Sequence, residues 1–218
     1  MAAADRRSFW AWCMESEEPT DAERAEFAKH LSERFGTSVT ARPVPKAEDA
    51  ELRPPRIQIP DSVADWCSTS TYDRASYAYG AHFTERVRAF NLDFPNPPDV
   101  VAHPRTEEEV VSTLDWCDQN GYVAVPYGGG SSVVWGLAPP EDRGPTVIIS
   151  LGQLNQVLEI DEVSRAARIQ AGQIKFPSRQ RAGAIAPGGF CRSASRYTGL
   201  RPRGVVRRRR VRRACSIP

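Results

Sequence analysis

Residues 122–136 read YVAVPYGGGSSVVWG. An apolar run rich in strand-favouring residues, Tyr122–Val125, ends at Pro126, and three glycines follow at 128, 129 and 130. Two hydroxyls, Ser131 and Ser132, come next, and then apolar residues resume at Val133. Glycine lets the backbone turn sharply and brings its N–H groups within reach of a bulky anion. Serine hydroxyls beside them add donors for phosphate oxygens. The stretch therefore reads as a strand that delivers a phosphate-cradling loop. A triple glycine alone favours an ordinary turn, so its surroundings have to decide.

Working outward, Val100–His103 reads as a short strand ended by Pro104. Thr106 and Glu109 have the spacing of a capping box, whose cap contributes about 1 kcal/mol. Val110, Val111, Leu114 and Cys117 are expected on one helical face, and Gly121 stops that helix. With Tyr122–Pro126 this makes a strand–helix–strand crossover, so its two strands should run parallel. Further on, Thr146–Leu151 reads as a buried strand. Val157–Asp161 and Ala166–Ala171 read as a hairpin-like pair. Two familiar phosphate loops are excluded. No Lys-Ser/Thr pair follows the glycines, and Rossmann spacing from Gly128 puts Val133 where the third glycine belongs. No S-x-x-K or G-x-S-x-G nucleophile occurs either.

Upstream, Thr20 with Glu23 predicts a capped helix over 20–36, with Ala28, Leu31 and Phe35 on one face and Gly36 at its end. Residues 41–62 are proline-rich and charged, as in an extended arm that hugs a surface. A second helix is expected from Asp73 to Phe90. FPNPPD, 94–99, then breaks the chain at a domain boundary.

Composition narrows the class. The chain has 218 residues and 40% hydrophobic content, enough for one fair-sized domain, and no apolar run long enough to span a membrane. The N-terminal residues lack a secretory signal pattern. Five scattered cysteines without a CxxC pair suggest neither disulfides nor zinc and point to a reducing, cytoplasmic setting. His30, His82 and His103 are dispersed, and the tryptophans read as packing residues. The net charge of +2 conceals an asymmetry. Thirteen of the twenty-nine basic residues and none of the twenty-seven acidic ones lie in 175–218, leaving sixteen basic against twenty-seven acidic in 1–174.

From PPDVVAHPRTEEEVVSTLDWCDQNGYVAVPYGGGSSVVWG through TVIISLGQLNQVLEIDEVSRAARIQAG, the chain resembles the flavin-binding domain of the vanillyl-alcohol-oxidase/para-cresol-methylhydroxylase type. The shared pattern is P-x-x-V-x-x-P-x-x-x-x-x-V, a helix, a strand, the Gly-Gly-Gly-Ser-Ser loop and a later strand ending in Ala-Gly. It covers roughly residues 65–174, and within the family it looks most similar to bacterial FAD-linked oxidases related to alkyldihydroxyacetonephosphate synthase. The resemblance implies an α+β fold, the first half of such a domain with a βαβ unit and a mixed sheet over 95–174. A helical and Pro-rich arm, 1–94, precedes it and a disordered basic tail, 175–218, follows. It implies FAD as cofactor, its pyrophosphate wrapped by Pro126, Tyr127, Gly128, Gly129, Gly130, Ser131, Ser132 and Val133, with Tyr127 beside the flavin or ribityl chain. It also implies a small-molecule substrate and a possible homodimer for full-length relatives.

The second cofactor loop, typically Ser-Thr-x-Gly-Gly, and the substrate cap are not found, so no catalytic residue is assigned. The chain by itself is expected to hold FAD weakly or not at all. Because the pattern stops near residue 174 where the charge balance flips, the tail reads as an out-of-frame translation of a GC-rich gene. The alternative is a non-enzymatic nucleic-acid-binding protein acting through Arg207–Arg210, Arg212 and Arg213. No RRM, KH or zinc-finger signature supports it, and nucleic acid is not the expected partner.

Overall fold

The computed structural model describes residues 6–11, 13–161, 163 and 166–172. The expectations for the basic tail, whether arm or change of frame, lie outside the described residues.

The chain begins with a strap folded on itself, in which Arg7 and Met14 form an antiparallel bridge and the Ser8 N–H donates to Cys13 O at 3.0 Å. Helix α1, Asp21–Phe35, starts at the expected capping box on Thr20 and Glu23 and stops at Gly36 in the left-handed conformation. Its expected apolar face is only partly used: Ala28 is buried, but Phe35 is exposed. Residues 41–62 run as extended coil with one short turn of 3-10 helix at Ala47–Asp49. A two-residue strand β1, Cys67–Ser68, precedes α2, Thr71–Ser76, and α3, Phe83–Phe90. Then come β2, Val100–Ala102; α4, Glu107–Asn120; β3, Val123–Tyr127; and β4, Thr146–Ser150. The hairpin of β5, Val157–Asp161, and β6, Ala166–Ile169, is antiparallel as expected.

Of three expectations, the first and third are corrected and the second holds. The single helix over 73–90 is two helices, broken at Tyr77–His82. At the break the Ala81 N–H donates to Ser132 O at 2.6 Å rather than into a helical ladder. A Cβ on Gly80 would lie 2.7 Å from that same carbonyl, so the break lets this segment meet the segment after the glycines. Secondly, β2 and β3 run parallel as expected, with a third strand between them. The sheet order is β1-β2-β4-β3, and β4 lies between them, parallel to both. Thirdly, α4 buries Thr113, Trp116 and Cys117, while Val111 and Leu114 stay exposed. The Trp66 indole N–H donates to Thr113 Oγ1 at 3.0 Å and Trp116 packs edge-on against Tyr122, which sets this rotation of the helix. The Thr106 hydroxyl does accept from the Glu109 N–H, but the Glu109 carboxylate turns back to Arg105 instead of closing the box.

The central strand β4 is buried at every position, as a parallel strand covered on both faces requires. Edge strand β3 is only half-buried, and Pro126 sits there because an edge can spare its missing N–H. A buried carboxylate clamps the extended coil to the sheet. Asp99, with no exposed surface, accepts from Arg53 Nη1 at 2.5 Å, from the Arg56 N–H and Nη2 at 2.8 Å each, and from the Thr146 N–H at 2.8 Å. Burial alone raises such a carboxyl, yet the bonds from Arg56, Arg53 and two backbone N–H groups hold Asp99 well below the usual carboxylate range.

Candidate cofactor-binding site

The glycine loop leaves β3 at its C-terminal end, beside the ends of β4 and β2. Ligands of open parallel sheets sit beyond that edge. Tyr77, in the break between α2 and α3, forms the floor. Its ring meets Tyr127 at 4.8 Å and His103 at 5.4 Å, both edge-on, and its hydroxyl receives a bond from Ser150 Oγ at 3.2 Å. Burial pushes the Tyr77 hydroxyl's pKa up, so it stays protonated at neutral pH. His103 pairs with Asp73 at 3.4 Å. Residues from three strand ends and one helix break thus fix the platform under the loop.

The expected site residues divide by depth. Pro126 is exposed and pairs in register with Ile149. The Tyr127 ring is fully buried and its hydroxyl donates to Tyr79 O at 3.0 Å, which leaves its backbone, not its ring, at the loop. The expectation that Tyr127 lies beside a flavin therefore concerns its backbone and the face of the buried ring rather than its hydroxyl, which is committed to Tyr79 O. Gly128 and Gly129 are half-buried, and a Cβ on Gly129 would meet nothing within 4 Å. Gly130 is different. It is buried with φ +64°, and a Cβ there would overlap the Tyr127 hydroxyl and crowd Arg7 Nη2 at 2.5 Å. Ser131 is exposed; the half-buried Ser132 accepts the Gly136 N–H on its hydroxyl at 3.1 Å, leaving its own proton to donate. Val133 is 54% exposed. Trp135, expected to pack, is 42% exposed in a left-handed backbone, tilted against His82 at 5.0 Å.

Two cations that the sequence did not announce lie behind the loop. Arg7 Nη1 donates to Gly129 O at 3.1 Å and its guanidinium stands 5.2 Å over the Tyr127 ring. Arg86, 8% exposed, donates from Nη1 to Phe9 O at 3.4 Å, and its Nε and Nη2 have no hydrogen-bond partner among the described residues. Burial draws the Arg86 pKa down, Tyr127 opposes that, and the Arg7 charge adds to it. Separations of 122 residues and more carry no spacing signal, so no pattern in the sequence could have found Arg7.

Residues 98–175 match the model of the family described as FAD binding domain. Its cofactor is FAD. The glycine loop, β2, α4, β3 and β4 all fall within the FAD-binding segment. Among curated proteins, the chain is 28% identical over 114 residues to alkyldihydroxyacetonephosphate synthase of Dictyostelium discoideum, covering 52% of this chain and 18% of that one. It is 32% identical over 81 residues to glycolate oxidase subunit GlcD of Bacillus subtilis, covering 37% and 17%. A solved alkyldihydroxyacetonephosphate synthase superposes with a TM-score of 0.58 at 25% identity, over 66% of this chain and 29% of that one. The chain therefore spans less than a fifth of the length of these two curated relatives.

The residues present fit the anionic part of FAD. The outer side of Gly129 is open, and Gly130 takes a conformation that favours glycine where a side chain would collide. Cationic side chains stand behind the same turn. Among the described residues no His/Cys/Asp/Glu group could hold a metal ion, and no helix is long and apolar enough to cross a membrane. Burial pushes the Cys67 thiol up to about 12 and the Cys117 thiol up to about 11, so neither of these two is a thiolate at neutral pH.

Proposed function

We propose that the loop Pro126–Val133 binds the pyrophosphate of FAD, and that the chain is part of an FAD-linked oxidoreductase or an alkyldihydroxyacetonephosphate-synthase-like enzyme. The observation that carries the reading is the contrast within one turn: Gly129 open to a ligand on its outer side, Gly130 left-handed and closed on its inner side. An adventitious glycine turn has no need of both. When bound, FAD supplies hydride or electrophilic chemistry at its isoalloxazine ring. The described residues contribute binding: backbone N–H groups of the loop, the hydroxyl of Ser132, and a platform of Tyr77, Tyr127 and Ser150 that holds the turn in shape.

The synthase-like branch is supported by the reach of its structural match. Sixty-six per cent of the chain is more than the FAD-binding segment alone, so that match takes in part of the N-terminal layer. A small-molecule substrate belongs to the same proposal, as does a homodimer of the kind the resemblance implies for full-length relatives. Scattered thiols without a pair favour a reducing, cytoplasmic location.

The test is a titration of the ¹⁵N-labelled chain with FAD, ADP and riboflavin. Weak but saturable amide shifts at 128–133 with FAD and ADP at millimolar concentration, and none there with riboflavin, are expected of a loop acting without its second partner loop. FAD titration without any shift in those residues would sink the assignment.

A further inference from the structure

The loop's orientation rests on contacts made from outside the FAD-binding segment. Every described peptide bond is trans, so each carbonyl points opposite to the N–H that follows it. Arg7 Nη1 holds the Gly129 carbonyl inward at 3.1 Å, and the Gly130 N–H must therefore face away from Arg7. The Ala81 N–H holds the Ser132 carbonyl inward at 2.6 Å, and the Val133 N–H is turned the other way in the same manner. Two carbonyl dipoles that would repel a pyrophosphate are thus tied into the body, and two donors are presented on the opposite side.

Arg7 is itself fixed from several directions. The Tyr72 hydroxyl donates to its carbonyl oxygen at 2.6 Å, and the strap closes through its bridge to Met14. Next to it, Arg6 bonds Glu15 at 3.0 Å and Glu48 at 3.1 Å, while Phe9 is buried in the core. Among the described residues, Arg7 Nε is buried without a hydrogen-bond partner, as are Nε and Nη2 of Arg86. Buried unpaired donors are costly. Two guanidiniums stand in electrostatic contact behind a phosphate loop, with Tyr127 and Glu85 opposing that repulsion at Arg86, and an anion at the loop would relieve it further.

We propose that Arg7 is a positioning residue of the pyrophosphate site: it locks the Gly129–Gly130 peptide with its donor toward the ligand, and with Arg86 it supplies positive charge behind the loop. The inference rests on the FAD reading above and extends it to a strap outside the matched segment.

Three chains decide it: wild type, Arg7→Ala, and Arg34→Ala, which removes the same charge from α1. Each is titrated with FAD and with inorganic pyrophosphate by amide shifts, and amide hydrogen exchange at 129–133 is measured without ligand. Loss of a charge-assisted contact predicts about ten- to hundred-fold weaker binding of both ligands to Arg7→Ala. Exchange at 129–133 should be faster in that variant, with Arg34→Ala like wild type in both respects. Wild-type affinity and wild-type exchange in Arg7→Ala overturn the proposal. If wild type itself binds neither ligand, the FAD reading fails, and the exchange data alone decide Arg7: faster exchange supports the lock and unchanged exchange overturns it. Should Arg7→Ala not fold, Arg7→Lys takes its place. It keeps the charge but loses the planar fork, so a several-fold loss supports the proposal and wild-type behaviour overturns it.

Discussion

Replacing Asp99 with Asn removes the charge at the centre of the clamp and nearly nothing of its volume. Both carboxylate oxygens are occupied by donors: Oδ1 by Arg53 Nη1 and by the Arg56 N–H and Nε, Oδ2 by Arg56 Nη2 and the Thr146 N–H. Whichever way the new amide points, its NH₂ faces donors. Breaking one side of a buried ion pair costs about 3–5 kcal/mol. Arg53 and Arg56 keep 26% and 41% of their side-chain surface in water, so their abandoned charges are partly rehydrated, which favours the lower end, about 3 kcal/mol. With a urea slope of about 2 kcal/mol/M, the midpoint should fall by about 1.5 M. Urea titration followed by tryptophan fluorescence reads this directly. The pH dependence has a definite sign. The folded carboxyl titrates below its unfolded value of about 3.9. Its contribution is therefore complete above about pH 4 and is lost as pH falls through the folded value. An Asp99→Asn midpoint within about 0.3 M of wild type, or a wild type that shows no weakening below pH 4, would refute the account of Asp99 as the clamp.

The two glycines should separate binding from stability. Gly129→Ala, with open space for its Cβ, is expected to melt near wild type yet weaken FAD in an amide-shift titration, whereas Gly130→Ala should lose about 1–3 kcal/mol of stability by thermal melting. Gly172→Ala places a Cβ on the Leu151 carbonyl; a lowered melting temperature and loss of protection at the Gly172 N–H, which bonds Leu154 O at 2.8 Å, are the expected readouts. Because Cys67 and Cys117 titrate far above neutrality, iodoacetamide at pH 8 should label them much more slowly than the unfolded chain, as followed by intact mass.

Local signals read well from the sequence. Thr20 and Glu23, Gly36, Gly121, the β5–β6 hairpin and the strand ends near the glycines all declare themselves within a few residues, because caps and turns are short-range chemistry. What was missed is long-range. Nothing near residue 80 predicts that Gly80 will lie against Ser132, and so the break in the 73–90 helix stayed hidden. The face of α4 was misread because Thr113 is buried by bonding to Trp66, while the more apolar Val111 and Leu114 face outward. Periodicity counts apolar residues and cannot see a buried hydroxyl with a partner. Tyr127 belongs to the same class: its place in the loop motif was legible, but the pull of Tyr79 O and Tyr77 on its side chain was not.

The insertion of β4 between β2 and β3 also fixes an order of assembly. Two strands separated by a third lie about 9.6 Å apart, twice the ordinary spacing, and exchange no ladder bonds. As the chain leaves the ribosome, β2, α4 and β3 are complete by residue 127, yet β3 has no partner until Thr146–Ser150 emerges. Until then the glycine loop is tethered to an unpaired strand, and its anchor at Arg7 waits at the far end of the nascent chain. Any truncation ending between 131 and 145 therefore contains all three glycines and none of the strand that holds them in place. The loop can become a binding site only after the strand that follows it has docked.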